Sequence, residues 1–209
     1  SVTLTYNTGK GNATTASVCT LASNGTSCSI APSTGSYSGH GFYGWSTGNN
    51  TTRSYVAGTA YSFSANTTVY AIWSSTLTYN ANGGSGAPAA QTCYHTYNTT
   101  GCNITLSNTV PTLTGFAFRN WGPAAGSTSA SYAKGTAYTF NGNITIYAIL
   151  YKTITVSYDA NGGSGAPAAQ SCTYYSGGNS CAITLSSTKP TRSNWIFMGW
   201  NPASGAVQA

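Results

Sequence analysis

Six cysteines carry the most evident chemistry in this 209-residue sequence. They form three pairs with the same nine-residue separation: Cys19 and Cys28, Cys93 and Cys102, Cys172 and Cys181. The equal spacing predicts three local disulfides. No Cys-x-x-Cys pair is present, which argues against a zinc or thioredoxin-like redox site. Stable disulfides form in oxidising compartments. We therefore expect an extracellular protein, either secreted or held at the cell surface.

Catalytic side chains are scarce. Asp159 is the only carboxylate side chain, and His40 and His95 lie at non-equivalent places in different repeats. Glycosidase chemistry needs two carboxylates, and calcium or magnesium cages usually need several. The sequence therefore predicts no enzyme, no cofactor and no metal. Asp159 precedes Asn161-Gly162, so we expect it to cap a turn.

An internal repeat must position these residues. Residues 81–91 recur letter for letter as residues 160–170, and a more diverged copy precedes them. The alignment predicts three tandem modules, residues 1–74, 75–152 and 153–209, with closely abutted joints because no Pro- or Gly-rich linker separates them. The third stops shortly after Trp200 and lacks the counterpart of residues 68–73.

The composition favours strands. Charged residues make up 4% of the chain, against roughly 25% in an ordinary soluble domain. Thr, Val, Ile and Tyr alternate in short runs broken by Gly and Asn, and no apolar run has helical spacing. The predicted fold is mainly β. The tryptophans that recur at one module position, Trp45, Trp121 and Trp200, are expected to anchor the module cores.

The order of motifs resembles the Listeria–Bacteroides repeat, also called the internalin B-repeat. The resemblance is carried by an Asn-Gly-Gly opening at Asn161, by residues 189–192 (Lys-Pro-Thr-Arg), by residues 197–200 (Phe-Met-Gly-Trp) and by closing segments with Tyr-Ala-Ile in modules one and two. It implies small β-grasp-like modules in tandem, in secreted or surface-attached microbial proteins, with no enzymatic activity assigned to the repeat. The cysteine pairs, Leu113 in place of the motif arginine in module two, and the absence of Asn-Gly-Gly from module one depart from the pattern.

Two sets of residues are candidates for surface roles. Tyrosines between the paired cysteines could form a contact surface or be ordinary solvent-facing residues: Tyr94, Tyr97, Tyr174 and Tyr175. Asparagines in Asn-x-Ser/Thr sequences are possible glycosylation sites, which would help a nearly uncharged protein to stay dissolved: Asn12, Asn24, Asn49, Asn50, Asn66, Asn98, Asn103 and Asn143.

These observations favour a structural segment of a microbial surface filament, coat or stalk. The alternative is an adhesin that grips a glycan or host protein through its Tyr-rich loops. Other copies of the chain are the expected partners, in head-to-tail contact, and a cell-wall polymer would also suit the net charge of +6. The basic residues are scattered, so nucleic acid is not expected, and no segment is apolar enough to span a membrane. The missing end of module three would be completed either by a continuation of the chain or by a neighbouring copy.

Overall fold

A computed structural model describes residues 1–11, 15–96, 99, 101–129, 131–178 and 180–202. Within these residues the protein consists of strands, turns and irregular segments, with no helix. The strands are β1 (Val2–Asn7), β2 (Ser17–Cys19), β3 (Cys28–Ile30), β4 (Gly41–Ser46), β5 (Tyr61–Phe63), β6 (Thr67–Asn80), β7 (Gln91–His95), β8 (Cys102–Thr105), β9 (Ala117–Gly122), β10 (Ala137–Phe140), β11 (Ile144–Val156) and β12 (Gln170–Tyr175). The prediction of a mainly β chain is confirmed.

Each of the first two modules is built from a four-stranded mixed sheet and a two-stranded ladder. In module one the sheet runs β2-β1-β6-β4, with β1 and β6 parallel, and the ladder pairs β3 with β5. Module two repeats this with β7-β6-β11-β9 and with β8 against β10. The opening and closing strands of a module are therefore parallel neighbours in the middle of its sheet.

The joints between modules lie inside two long strands. β6 closes module one with its first half and opens module two with its second half, and β11 does the same between modules two and three. Both predicted boundaries, 74/75 and 152/153, fall within these strands. A single eight-stranded sheet consequently passes through all three modules.

The core of each complete module collects around one tryptophan. Trp45 and Trp121 have no exposed surface, and a tyrosine of the opening strand lies 4.8 Å from each ring centroid: Tyr6 in module one and Tyr79 in module two. Alternate residues of the closing strands, such as Val69 and Ile146, complete these cores from the other side. The prediction that these two tryptophans are core anchors is confirmed.

The disulfides join the cysteines in the predicted pairs, each nine residues apart. Cys93 lies on β7 of the main sheet, whereas Cys102 lies on β8 of the ladder, and β2 and β3 carry the bridge of module one in the same way. The cysteine pair therefore ties two sheets together. The expectation of Tyr-rich loops is wrong for Tyr94, which lies on β7, and for Tyr174 and Tyr175, which lie on β12.

Candidate functional site: module joints and an open groove

Asp159 caps a turn, as the sequence predicted. Its Oδ1 accepts the backbone N–H of Asn161 at 2.7 Å, as Oδ1 of Asn80 accepts the N–H of Asn82 at 2.8 Å. Asn161 and Gly162 both have positive φ, 46° and 83°, which Asn and Gly tolerate best. The carboxylate of Asp159 is exposed and accepts a backbone hydrogen bond within the turn. Among the described residues, no three His, Cys, Asp or Glu side chains lie close enough to hold a metal ion.

The two histidines, 55 positions apart in sequence, meet at the joint between modules one and two. The ring centroids of His40 and His95 lie 5.2 Å apart in an edge-to-face arrangement. Nε2 of His40 is 2.9 Å from Oδ1 of Asn141, a residue of module two. Sequence reasoning missed this contact because it compared each histidine only with its own module. The second joint holds the equivalent pair, Phe116 and Tyr174, at 5.6 Å.

Ser75 and His95 form a hydrogen-bonded pair inside this joint. Ser75 Oγ lies 2.9 Å from Nε2 of His95 and accepts the N–H of Gly142 at 3.0 Å. Burial lowers the pKa of His95, opposed by its hydrogen bond to the Thr96 carbonyl and reinforced by the nearby His40. Because Nδ1 faces that carbonyl, the neutral ring carries its proton on Nδ1 and accepts the serine hydroxyl at Nε2. Ser75 is fully buried, so its hydroxyl is not accessible as a nucleophile and the pair holds the joint.

The candidate tyrosines contact the preceding module. Tyr94 is 45% exposed, and its ring centroid lies 3.9 Å from that of Tyr43. Tyr174 packs edge-on against Phe116, and the hydroxyl of Tyr175 accepts a hydrogen bond from Arg119 at 2.9 Å. Tyr97 lies outside the described residues. These side chains thus contribute to both joints.

The asparagines of the glycosylation sequences are exposed wherever the structure describes them: Asn24, Asn49, Asn50, Asn66, Asn103 and Asn143. Two of them also have a structural role, since Oδ1 of Asn66 and of Asn143 accepts the backbone N–H of Thr3 and of Thr76. Asn12 and Asn98 lie outside the described residues. Glycosylation at these positions stays a prediction.

Module three contains an open groove of about 770 Å³. Its two walls correspond, residue for residue, to strands that hold the closing strand in module two. Residues 156–159 are equivalent to 77–80, which pair in parallel with β11, and residues 196–200 are equivalent to 117–121, which pair with β11 in antiparallel fashion. The opening strand of module three, which is the second half of β11, ends at Val156. No described residue occupies the space between the walls.

The floor of the groove keeps the arrangement of a complete core. The ring centroids of Tyr158 and Trp200 are 4.7 Å apart, and those of Phe197 and Trp200 are 5.0 Å apart. The matching pairs of module two, Tyr79–Trp121 and Phe118–Trp121, are separated by 4.8 and 5.3 Å. Ser186 also donates its N–H to the Tyr158 hydroxyl, as Ser107 does to that of Tyr79. The core is therefore assembled on one side only.

Apolar side chains are uncovered as a result. Trp200 is half-buried, whereas Trp45 and Trp121 are fully buried, so the prediction of a core anchor holds only in part for the third tryptophan. Leu185 is 50% exposed, while its equivalent Leu106 is 1% exposed. Around the groove, Trp195, Ile196 and Met198 are between 68% and 92% exposed.

The fold and joints define a class of protein: a tandem array of small, disulfide-bonded β-modules that share strands. The sequence profile of the Listeria-Bacteroides repeat domain matches residues 3–72, 76–149 and 155–208. The chain belongs to the Listeria-Bacteroides repeat family, in three consecutive copies. No curated protein and no solved structure matches it significantly. The described part of the chain has no helix that could span a lipid bilayer, and its disulfides fit a compartment outside the reducing cytoplasm.

Proposed function

We propose that this chain is a non-enzymatic structural segment of an extracellular filament, coat or stalk on a microbial surface. The observation that carries the proposal is the continuity of β6 and β11 through the two joints, which makes neighbouring modules parts of one sheet. Membership of a repeat-domain family is consistent with this role. The scarcity of carboxylates and the burial of Ser75 also support it.

The β-grasp-like character of each module is part of the same proposal. It is supported by the mixed sheet of modules one and two, where parallel opening and closing strands lie between antiparallel neighbours. The described residues contain no helix packed on this sheet. The two-stranded ladder of β8 and β10 supplies Phe140 and Cys102 to the core on that face instead.

Partner copies are the proposed neighbours, in head-to-tail contact. Neighbouring modules of the chain already join end to end through β6 and β11, and an interface that joins unlike surfaces and does not close produces a filament. The experiment is sedimentation velocity of the oxidised chain over a range of concentrations, followed by negative-stain microscopy. We expect elongated polymers that grow with concentration. Monomers throughout, together with immunogold labelling that finds the native protein inside the cell, would contradict the proposal.

An adhesin is the second candidate, because one aromatic patch remains accessible. Tyr94 stacks on Tyr43, and the guanidinium of Arg53 lies 4.2 Å from the Tyr43 ring centroid. Exposed tyrosine supplies rigid, amphipathic contact area. Saturable binding on a glycan, cell-wall-polymer or host-protein array, lost in Tyr94→Ala and kept in Tyr151→Ala, would favour this role.

A further inference from the structure

Two tyrosine rings from different modules stack on each other at the first joint. Tyr43 belongs to β4 of module one and Tyr94 to β7 of module two. Their ring centroids are 3.9 Å apart, with 32° between the ring planes. The two phenols are therefore in direct contact although they are far apart in the sequence.

A bulge and a small residue bring these rings together. The register of β4 on β6 shifts between Phe42 and Gly44, so Tyr43 is the extra residue of a bulge, and bulges redirect side chains. Ser74 of β6 lies between the two strands and pairs directly with Tyr94. Strands that flank a common neighbour are roughly 10 Å apart. The short side chain of Ser74 leaves the two rings room to meet across that distance.

Both phenols are accessible, and one of them is fixed in position. Tyr94 is 45% exposed and Tyr43 is half-buried. The guanidinium of Arg53 lies 4.2 Å from the Tyr43 ring centroid, and its Nη1 donates a hydrogen bond to the Tyr43 carbonyl at 3.3 Å. A cation is attracted to the face of an aromatic ring. Arg53 therefore holds the Tyr43 ring beside Tyr94, at a surface that solvent reaches.

We propose that Tyr43 and Tyr94 are a site of oxidative cross-linking, at which a one-electron oxidant joins the two phenols by a carbon–carbon bond. The inference rests on the proposed extracellular role for exposure to such an oxidant, and on the stacked rings alone for its chemistry. Groups that are held in contact react at a high effective concentration, because their encounter is already complete. The product ties module one to module two covalently.

The step balances with hydrogen peroxide as the oxidant and a haem peroxidase as the catalyst. Each phenol loses one electron and one proton and becomes a phenoxyl radical, whose unpaired electron is shared with the ring carbons ortho to the oxygen. The two radicals join at these carbons, and each ring regains aromaticity when the hydrogen of the bonded carbon moves to the oxygen. Two hydrogen atoms leave the protein, and one peroxide molecule takes them up to give two molecules of water.

The second joint differs at the same positions. The register of β9 on β11 skips Arg119, so this residue occupies the bulge position that Tyr43 has in module one. The equivalent of Tyr94 is Thr173 on β12, and Arg119 donates a hydrogen bond to the hydroxyl of Tyr175. The proposed chemistry is therefore specific to the first joint.

Two tyrosine pairs inside modules serve as internal comparisons. The ring centroids of Tyr55 and Tyr61 are 4.8 Å apart with 69° between the planes, and those of Tyr132 and Tyr138 are 4.5 Å apart with 53°. These rings are farther apart and more steeply inclined than the pair at the joint. We therefore expect them to cross-link less.

The experiment oxidises the full chain, with its disulfides intact, at concentrations where sedimentation shows monomer. After treatment with a haem peroxidase and hydrogen peroxide, the chain is reduced and digested with trypsin. Cleavage after lysine and arginine separates residues 11–53, which contain Tyr43, from residues 54–119, which contain Tyr94. We expect a product that joins these two peptides, with a mass two hydrogen atoms below their sum. A link between Tyr55 and Tyr61 would instead stay within residues 54–119.

A matched pair of variants locates the site. Tyr94→Phe keeps an aromatic ring in the contact but removes the phenol, so it should lower the yield of the joined peptides at least tenfold. Tyr151→Phe removes a half-buried phenol from β11 and should leave the yield unchanged. Circular dichroism checks that both variants are folded.

Absence of the joined peptides would overturn the inference, as would equal yields in the parent and in Tyr94→Phe, or links that form only between separate chains. These outcomes are separable from the test of the proposed function. A cross-link across the joint in a chain that never polymerises would support the site and count against the filament. Polymers that form while peroxidase treatment never joins the two peptides would support the filament and refute the site.

Discussion

Trp121 shows how much of a module depends on one side chain. It is fully buried, contacts Tyr79 and Phe118, and pairs across the sheet with Ala148 of the closing strand. These contacts link the opening strand, the closing strand and the strand that carries Trp121 itself. Removing the indole therefore leaves a cavity between three strands, which the surrounding core closes only in part.

Trp121→Ala should lower the free energy of unfolding by about 3–5 kcal/mol, as large-to-small changes in cores do. Denaturant unfolding followed by near-ultraviolet circular dichroism measures the change. Trp195→Ala is the matched control, because Trp195 is 68% exposed and its loss should change stability by less than about 0.5 kcal/mol. A Trp121→Ala protein as stable as the parent would show that the indole is not a core anchor.

His95 should make the stability of the first joint depend on pH. Burial depresses the pKa of this imidazole in the folded protein, so the unfolded chain binds a proton more readily. The stability that neutral His95 contributes is complete above its unfolded pKa of about 6.5 and is lost as pH falls through that value toward the lower folded pKa. The groups that face it are His40 and the uncharged Ser75 and Thr96.

The check is thermal unfolding at pH 7.5 and pH 5.0. The parent should melt at a lower temperature at pH 5.0, and His95→Gln, which keeps a hydrogen-bonding group but does not titrate, should show a smaller difference. His40→Gln separates the contribution of the second ring. Equal pH dependence in the parent and in His95→Gln would contradict the assignment.

At the scale of elements, the disulfides join the two layers of each module. Cys93 and Cys102 connect β7 of the main sheet to β8 of the ladder. Cys102 is 1% exposed and belongs to the core of module two. The bridge therefore restricts the unfolded chain and also fills core space in the folded one.

Replacing both Cys93 and Cys102 by alanine should cost about 3 kcal/mol, the value expected for a loop of this size in the chain-entropy model. Urea unfolding followed by tryptophan emission measures it. The pair Cys172→Ala and Cys181→Ala is the comparison, because module three lacks a closed core and its bridge should contribute less to the cooperative transition. Equal losses from the two pairs would show that the bridge acts independently of the module around it.

Much of this architecture could be predicted from sequence because its signals are local. The alternation of Thr, Val, Ile and Tyr indicated strands, and Asn161-Gly162 marked a turn that the structure forms with positive φ at both residues. The contacts at the module joints could not be predicted in the same way. The predicted boundary between residues 74 and 75 falls inside β6, where buried Ser75 forms hydrogen bonds with His95 and Gly142. Contacts made across a joint leave no periodic signal in the sequence on either side.

The sequence indicated only that module three lacks a closing strand, and not that a groove would form there. The repeat alignment showed that residues 68–73 have no counterpart after Trp200, but not that the remaining walls would keep the spacing of a complete core. That spacing follows from packing that does not involve the closing strand. Tyr158 is held by the N–H of Ser186 and by Gln170, and Phe197 supports the indole of Trp200.

At the scale of the whole molecule, shared strands should make the three modules move as one body. A four-residue Gly-Ser insertion between Ser74 and Ser75 would separate the closing half of β6 from its opening half, and flexible linkers of this kind uncouple the domains they connect. Spin labels in modules one and three should give a narrow distance distribution in the parent and a broad one in the variant, as measured by pulsed electron paramagnetic resonance.

The same insertion after Gly126, in a turn with open space around it, should leave the distribution narrow. Equal widths in the parent and in the Ser74 insertion would contradict rigid joints.

The parallel pairing of opening and closing strands has a mechanical consequence. In module one, a pull on the chain draws β1 backward from its amino end and β6 forward from its carboxyl end, while residues 4–7 and 67–70 lie side by side in parallel. The hydrogen bonds between them are therefore loaded in shear, all at once, and cannot open one after another like a zipper. Module two transmits tension through β6 and β11 in the same geometry. Resistance to pulling is set by the rate of forced unfolding and not by equilibrium stability. A module with a small core can thus bear tension well beyond what its free energy of unfolding would suggest.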